Sequence, residues 1–394
     1  MTLDLVFPVL PPAFDGIGDH TAPHARTLAE QWPGVRERTA QPEATPIPGV
    51  QIERAFDSTT RRGVHALVPR IAASPPDAIV VQYNPFSYGR WGLNLSLPVV
   101  LREIRRRCPD TRIAVMVHEP FVPVESWRFA VFTTWQRWQL WRLGRTADVL
   151  FFSIGPWVQR FRSWFPGTPL AHLPVGSNIP VVPTDGALTR ARLDLSAETV
   201  VCGIFGSAHE SRDLSLIEAA LRSLHATIPA LQVLYVGTSG PTLRARLGGL
   251  PLIDAGALSA AEVSHHLSAM DLYLAPFRDG VSTRRGSFMA GLEHGIPTVT
   301  TTGPDTDPEL RTAAGHSFLA APQGDHAAFT HHVHRLASDR PGRQRLGRAG
   351  ATFYERMYDW PHVGTRLIHH LRRPADPNRA SRPSPAVAPA QSAP

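Results

Sequence analysis

The sequence contains no lysine: all 40 basic residues among its 394 are arginine. A Schiff-base lysine and a P-loop lysine are therefore excluded. Any phosphate held by a cation must be held by arginine, histidine, a backbone nest or a metal. Cysteine is scarce as well. Cys108 and Cys202 are the only two, too few for a disulfide scaffold or a structural zinc site. Apolar runs, such as residues 148–153, last four to seven residues, against the roughly 20 that a membrane-spanning helix needs. The start, MTLDLVFPVLPPAFDG, has neither the basic beginning nor the long apolar stretch of a signal peptide. The expectation is a soluble, cytoplasmic chain whose membrane association, if any, is surface contact on the cytoplasmic face. The net charge is +7, yet zinc-finger spacing, RNP-type aromatic motifs and dense basic tracts are all missing, so no nucleic-acid partner is expected.

What is present is length and a repeated pattern. At 394 residues and 43% hydrophobic, the chain has room for two domains with large cores. Short apolar runs over 3–9, 52–56, 78–83, 112–117 and 148–153 read as strands. Most lack polar alternation, as strands buried on both faces do. Helical patterns over 20–31, 60–73, 93–107, 124–145 and 155–165 lie between them. Such alternation predicts a parallel sheet with right-handed crossovers. A proline-rich passage, 173–183, interrupts the pattern and marks a domain boundary. The alternation then restarts, with strands over 199–205, 231–236, 252–255, 271–276 and 296–301 and helices over 212–227, 259–269, 285–294, 327–337, 344–358 and 361–371. The expected fold is α/β, two tandem doubly wound Rossmann-like domains facing each other across a cleft. Residues 1–180 form the first, 181–358 the second, and a helix over 359–372 crosses back to the first. Residues 373–394 are rich in Pro, Ala and Ser and read as a disordered tail.

Four segments carry chemistry. After the first strand, Gly16 and Gly18 lead into a helix with Asp19 or Thr21 as its N-cap. A glycine loop at a helix start brings backbone N–H groups to an anion or a hydroxylated ligand; an ordinary tight turn is the other reading. The third glycine of the dinucleotide fingerprint is missing, and Asp15 and Asp19 suit sugar hydroxyls better than pyrophosphate. The strand over 112–117 ends at His118-Glu119, where the ligand crevice of a doubly wound sheet lies. Imidazole and carboxylate there can orient hydroxyls or shuttle a proton. In Phe205-Gly-Ser-Ala-His-Glu-Ser-Arg212, Gly206 permits a sharp turn and Arg212 falls in the first turn of the next helix. A cation there opposes the helix dipole unless an anion shares the site. The densest segment is Ser282-Thr-Arg-Arg-Gly-Ser287, which crowds hydroxyls and two guanidinium groups onto a helix start. Ser282, Thr283, Arg284, Arg285, Gly286 and Ser287 together make a candidate diphosphate site.

In their order and spacing, these segments resemble the GT-B fold glycosyltransferases of the large retaining group called family 4. The glycine loop, His118, Leu173-Pro-Val-Gly-Ser-Asn-Ile-Pro180, the turn and helix over 205–218 and the loop–helix ending at Gly295-Ile-Pro297 all carry the likeness. It spans nearly the whole chain outside the tail. The resemblance implies transfer of a sugar from a nucleotide-diphosphate donor, bound mainly on the second domain, to a hydroxyl acceptor such as a glycan or lipid-linked glycan, bound mainly on the first. It implies no metal and no cofactor beyond the donor substrate. His118 then sits near the reacting centre, Asp19 or Glu119 positions the acceptor, and Arg212, Arg284 and Arg285 hold the diphosphate. One departure stands out. Many members carry two Glu separated by seven residues before the Gly-x-Pro; Ser282 and Ala290 occupy those places here. That absence supports a second reading, a non-catalytic GT-B partner in polysaccharide assembly. A nucleotide-sugar epimerase is a third, poorly served by the carboxylates present.

Residues 127–145, from Trp127 to Arg145, hold four of the nine Trp, four Arg and no acid. Two readings stay open. The helix either packs as core on the first sheet or makes peripheral contact with an anionic membrane through its Trp and Arg residues.

Overall fold

The structure, a computed structural model, describes residues 2–13, 15–57, 60–89, 92, 95–122, 127–183 and 185–372. The tail expected over 373–394 lies outside the described residues.

Two parallel sheets organise the chain. The first contains β1 (Leu3–Val6), β2 (Val35–Thr39), β3 (Val50–Arg54), β4 (Ala78–Tyr83), β5 (Arg112–Val117), β6 (Val149–Phe152) and β7 (Leu170–His172). Its strand order is β3-β2-β1-β4-β5-β6-β7. The second contains β8 (Val200–Phe205), β9 (Leu231–Val236), β10 (Leu252–Asp254), β11 (Leu272–Ala275), β12 (Thr298–Thr302) and β13 (Leu319–Pro322), in the order β10-β9-β8-β11-β12-β13. The central strands β1, β4, β6, β8 and β11 are buried along almost their whole length, because helices cover both faces. In each sheet the order reverses once, between β1 and β4 and between β8 and β11. The crevice beyond the strand ends at such a reversal is where doubly wound sheets bind ligands. The segments after β1, β5, β8 and β11 all open there.

Three strands, β2, β7 and β13, were not expected from the sequence. The strand β2 reads Val-Arg-Glu-Arg-Thr, which looks like a solvated loop, yet it pairs with β1 and β3. Its two arginines are paired inside. Asp4 on β1 is fully buried and receives Arg36 Nε at 2.6 Å and Arg38 Nε at 2.9 Å, while Arg38 also meets Glu53. A buried charge is tolerated when paired and hydrogen-bonded in this way.

The second correction concerns the first helix. It spans Gly16–Gln31 and is capped by Asp15, whose carboxylate accepts the Ile17 and Gly18 N–H groups at 2.9 Å each. Asp19 and Thr21 therefore sit inside the helix rather than at its cap. The last helix, Trp360–Arg372, follows the second sheet in sequence but packs on the first. Val363, Leu367 and Leu371, spaced four apart on one face, join Ala25, Leu28 and Trp32 in the core behind β1. The helix Trp127–Thr146 buries Leu140 and Leu143 against the first sheet, whereas Trp138 stays 38% exposed. Arg142 lies over the Trp138 ring and Arg145 over that of Trp141.

Candidate active site

A cavity of about 700 Å³ lies between the two sheets. Gly16, Ile17, Asp19, His20, His118 and Glu119 line it from the first half of the chain; Gly206, Ser207, Thr238, Arg285, Gly286 and Ser287 line it from the second. A second cavity of about 660 Å³ adjoins it and shares Glu119, Arg284 and Arg285. The Arg284–Glu119 ion pair, 3.3 Å long, belongs to the wall between them.

The second-half wall is cationic. The helix Gly286–Glu293 begins at the cavity, and no side chain caps it, so its first-turn N–H groups and its dipole remain available to an anion. Arg285 precedes it, stacked 4.6 Å above the Phe277 ring with one nitrogen donating to Ser211 Oγ at 3.0 Å. Its Nε and Nη2 are buried with no protein acceptor. Burial, then the adjacent Arg284, lowers its pKa from 12.5 to about 9. It is still a cation at neutral pH, and one short of an anion. Arg284 is held differently, stacked over Trp157 and paired with Glu119 and Asp305.

The helix after Arg212 starts two residues later than expected. Asp213 caps the following helix, Leu214–His225, so Arg212 precedes the helix rather than sitting in its first turn. Its guanidinium is buried and donates to the carbonyls of Phe205 at 2.7 Å and Leu274 at 3.3 Å, and to Ser287 Oγ at 3.4 Å. It holds the uncapped helix start from below. Gly206 has φ +96, and an added Cβ would stand 3.5 Å from both Arg212 Nη2 and Ser287 Cβ. Its positive φ, which side chains resist, leaves this corner open.

The first-half wall brings neutral imidazoles together with the carboxyl groups of Asp15, Asp19 and Glu119. His118 Nε2 lies 2.7 Å from Gln82 Oε1. That oxygen can only accept, so His118 carries its proton on Nε2 and presents Nδ1 as an acceptor. Burial, then His24, pushes its pKa down to about 3. His20 and His24 are also buried, and none of their ring nitrogens has a protein partner. Burial lowers the pKa of His24 to about 4, and burial with both neighbouring imidazoles takes that of His20 well below 6.5. The His20 ring stands 5.1 Å from that of His118 and 4.9 Å from that of Trp360. Sequence reading passed over His20 and His24: an expected helix over 20–31 already makes them an i, i+4 pair, but the residues that bury that face, His118 and Trp360, are distant in sequence. Asp19 is half-buried, and burial, then Asp15, raises its pKa to about 6.

Several expected ligand groups are placed elsewhere. The Gly18 N–H is spent on Asp15, and a Cβ at Gly18 would come within 2.5 Å of the Val9 carbonyl oxygen. This glycine serves close packing rather than ligand contact. Gly16 does border the cavity, but the Asp15 carboxylate occupies the helix start beside it. Ser282 and Thr283 are fully buried away from the cavity. Thr283 instead donates to the Ser153 carbonyl and to Asp307, both in hydrogen bonds under 3 Å. His172, Asp307 and Glu309 bring ligand-type atoms within 4.8 Å of one another. The Asp307 oxygens there are already taken by the Gly155 and Thr283 N–H groups.

No protein-family model and no curated protein matches this sequence. Solved structures do match the fold. Sucrose-phosphate synthase from Thermosynechococcus elongatus aligns with TM-score 0.70 at 17% identity, over 94% of this chain and 98% of that one. WaaG, a glycosyltransferase involved in lipopolysaccharide biosynthesis, aligns with TM-score 0.68 at 14% identity, over 94% and 99%. HepE from Anabaena, solved in complex with UDP and glucose, aligns with TM-score 0.64 at 11% identity, over 94% and 99%. The chain has the GT-B fold of two Rossmann-like domains found in these glycosyltransferases.

Proposed function

We propose that the chain is a glycosyltransferase moving a sugar from a nucleotide-diphosphate donor to a hydroxyl acceptor in glycan, lipid-linked glycan or glycoconjugate synthesis. One observation carries this reading. Arg285, with two buried guanidinium nitrogens that have no protein acceptor, immediately precedes an uncapped helix start, and His118 lines the same cavity. Fixed cations stabilise a diphosphate leaving group as its charge develops, with no reorganisation at the moment of reaction. In this reading Arg285, Gly286 and Ser287 hold the diphosphate, supported by Arg284 and Arg212. His118 Nδ1 accepts a hydrogen bond from a sugar hydroxyl. Glu119 and Asp19, on the first-half wall, orient the acceptor hydroxyl. The reaction proceeds with retention and without a metal.

Domains 1–180 and 181–358, with 359–372 returning to the first, make up the working unit. Trp127 to Arg145 adds peripheral contact with an anionic membrane, carried by exposed Trp138 and its stacked Arg142.

The deciding experiment is a thermal-shift panel of nucleoside diphosphates and their sugars, beginning with UDP because HepE binds it. A base-specific rise in Tm is expected for the intact chain and is lost in the Arg284→Ala, Arg285→Ala double variant. Affinity unchanged by both substitutions overturns the diphosphate assignment. Donor-dependent UDP release separates a transferase from a non-catalytic partner that only binds.

A further inference from the structure

The arginine loop is built into the second half of the chain but fastened to the first. Thr283 immediately precedes Arg284 and Arg285. Its Oγ1 donates to the Ser153 carbonyl at 2.6 Å and lies 2.8 Å from His172 Nε2. Because the Thr283 proton is spent on Ser153, the imidazole is the donor in that second bond. The Thr283 N–H donates to Asp307 Oδ2 at 2.7 Å, and the Gly155 N–H donates to Asp307 Oδ1 at 2.5 Å. The Thr283 carbonyl accepts from the Val175 N–H at 3.0 Å. Ser153, Gly155 and His172 come from around β6 and β7, whereas Thr283 and Asp307 come from the loops after β11 and β12. Asp307 and Thr283 are wholly buried. Charge-assisted hydrogen bonds of this kind are strong and sharply directional.

We propose that Thr283, Asp307 and His172 form an interdomain latch that positions the donor-binding arginines, so that binding of a nucleoside diphosphate and the mutual placement of the two sheets are energetically linked. The link rests on the transferase reading for its ligand, but the latch itself is a property of the free chain. None of the three residues lines either cavity; they act through the backbone of the arginine loop. By reciprocity, whatever loosens the latch weakens nucleotide binding, and bound nucleotide tightens the latch.

The test compares the full-length chain with Thr283→Val, Thr283→Ser and Asp307→Asn. Thr283→Val removes the hydroxyl that joins Ser153 to His172 and keeps the N–H to Asp307; Thr283→Ser restores the hydroxyl. Solution scattering without ligand is expected to show a larger radius of gyration for Thr283→Val and Asp307→Asn, and a value close to the natural chain for Thr283→Ser. Hydrogen exchange over 282–287 should quicken in the same two variants. The dissociation constant for UDP should rise about tenfold in them, within the usual range of coupling between sites. Unchanged scattering in a folded Thr283→Val overturns the latch, even if UDP binding weakens. If the natural chain binds none of UDP, GDP or ADP, the transferase reading falls, and scattering with hydrogen exchange still decides the latch. If Asp307→Asn fails to fold, the Thr283 pair decides alone.

Discussion

The two walls of the cavity solve opposite problems. The wall from the second half gathers positive charge: an uncapped helix start, Arg285 with two buried nitrogens that have no protein acceptor, and Arg212 beneath. The wall from the first half gathers no cation: its imidazoles are neutral and its ionisable partners are the carboxyls of Asp15, Asp19 and Glu119. His20, His24 and His118 are buried deeply enough to be neutral, and Asp15 has already capped the helix start that would otherwise attract an anion. Two helix starts that border the same cavity, one after β1 and one after β11, thus differ. One is closed by its own carboxylate and the other is left for a ligand. The contrast teaches that a glycine-bearing turn at a helix start is not by itself an anion site. What decides is whether the protein has spent the first N–H groups on itself.

The contrast can be broken experimentally, and the largest effect belongs to the charged wall. Arg285→Ala is expected to weaken UDP binding about a hundredfold, as loss of a charged hydrogen-bonding partner does, measured by titration calorimetry. His118→Ala should leave UDP binding nearly unchanged and lower kcat about a hundredfold, the scale of a positioned imidazole. Equal losses of UDP affinity in the two variants would erase the distinction between the walls. The smallest effect concerns Asp19. Its pKa is raised to about 6 in the folded chain by burial and Asp15, so the unfolded chain ionises first as pH rises. Stability is then greatest below the unfolded pKa near 4 and declines as pH climbs through about 6. Asp19→Asn removes that decline. The variant should match the natural chain at pH 4 and exceed it by about 1 kcal/mol at pH 7, a value discounted for the residue's partial exposure, as read from denaturant midpoints.

Much of this fold was legible because parallel strands buried on both faces leave apolar runs with no alternation. What escaped detection was the exception to that rule. Arg36 and Arg38 in β2 look exposed until Asp4 and Glu53 are known to face them across the sheet, and neighbouring strands are not neighbours in sequence. The arginine loop was legible for a local reason: hydroxyls and guanidinium groups beside a helix start are adjacent along the chain. Thr283 was misread as a ligand group for the same reason. Its true partners, Ser153, His172 and Asp307, are 130, 111 and 24 residues away. His20 and His24 were already an i, i+4 pair in the expected helix, but their packing on Trp360 joins opposite ends of the chain.

That last contact bears on how the protein is made. The core behind β1 lacks four of its apolar side chains, Val363, Leu367, Ile368 and Leu371, until the final helix arrives. A ribosome delivers the chain from the N-terminus, so the first domain must wait, partly uncovered, while the whole second domain is synthesised. The second domain has no such debt and can close as soon as the helix Arg340–Met357 has emerged. Order of synthesis and order of completion are therefore reversed, and a chain stopped short of Trp360 would carry its exposed apolar surface on the half that was made first.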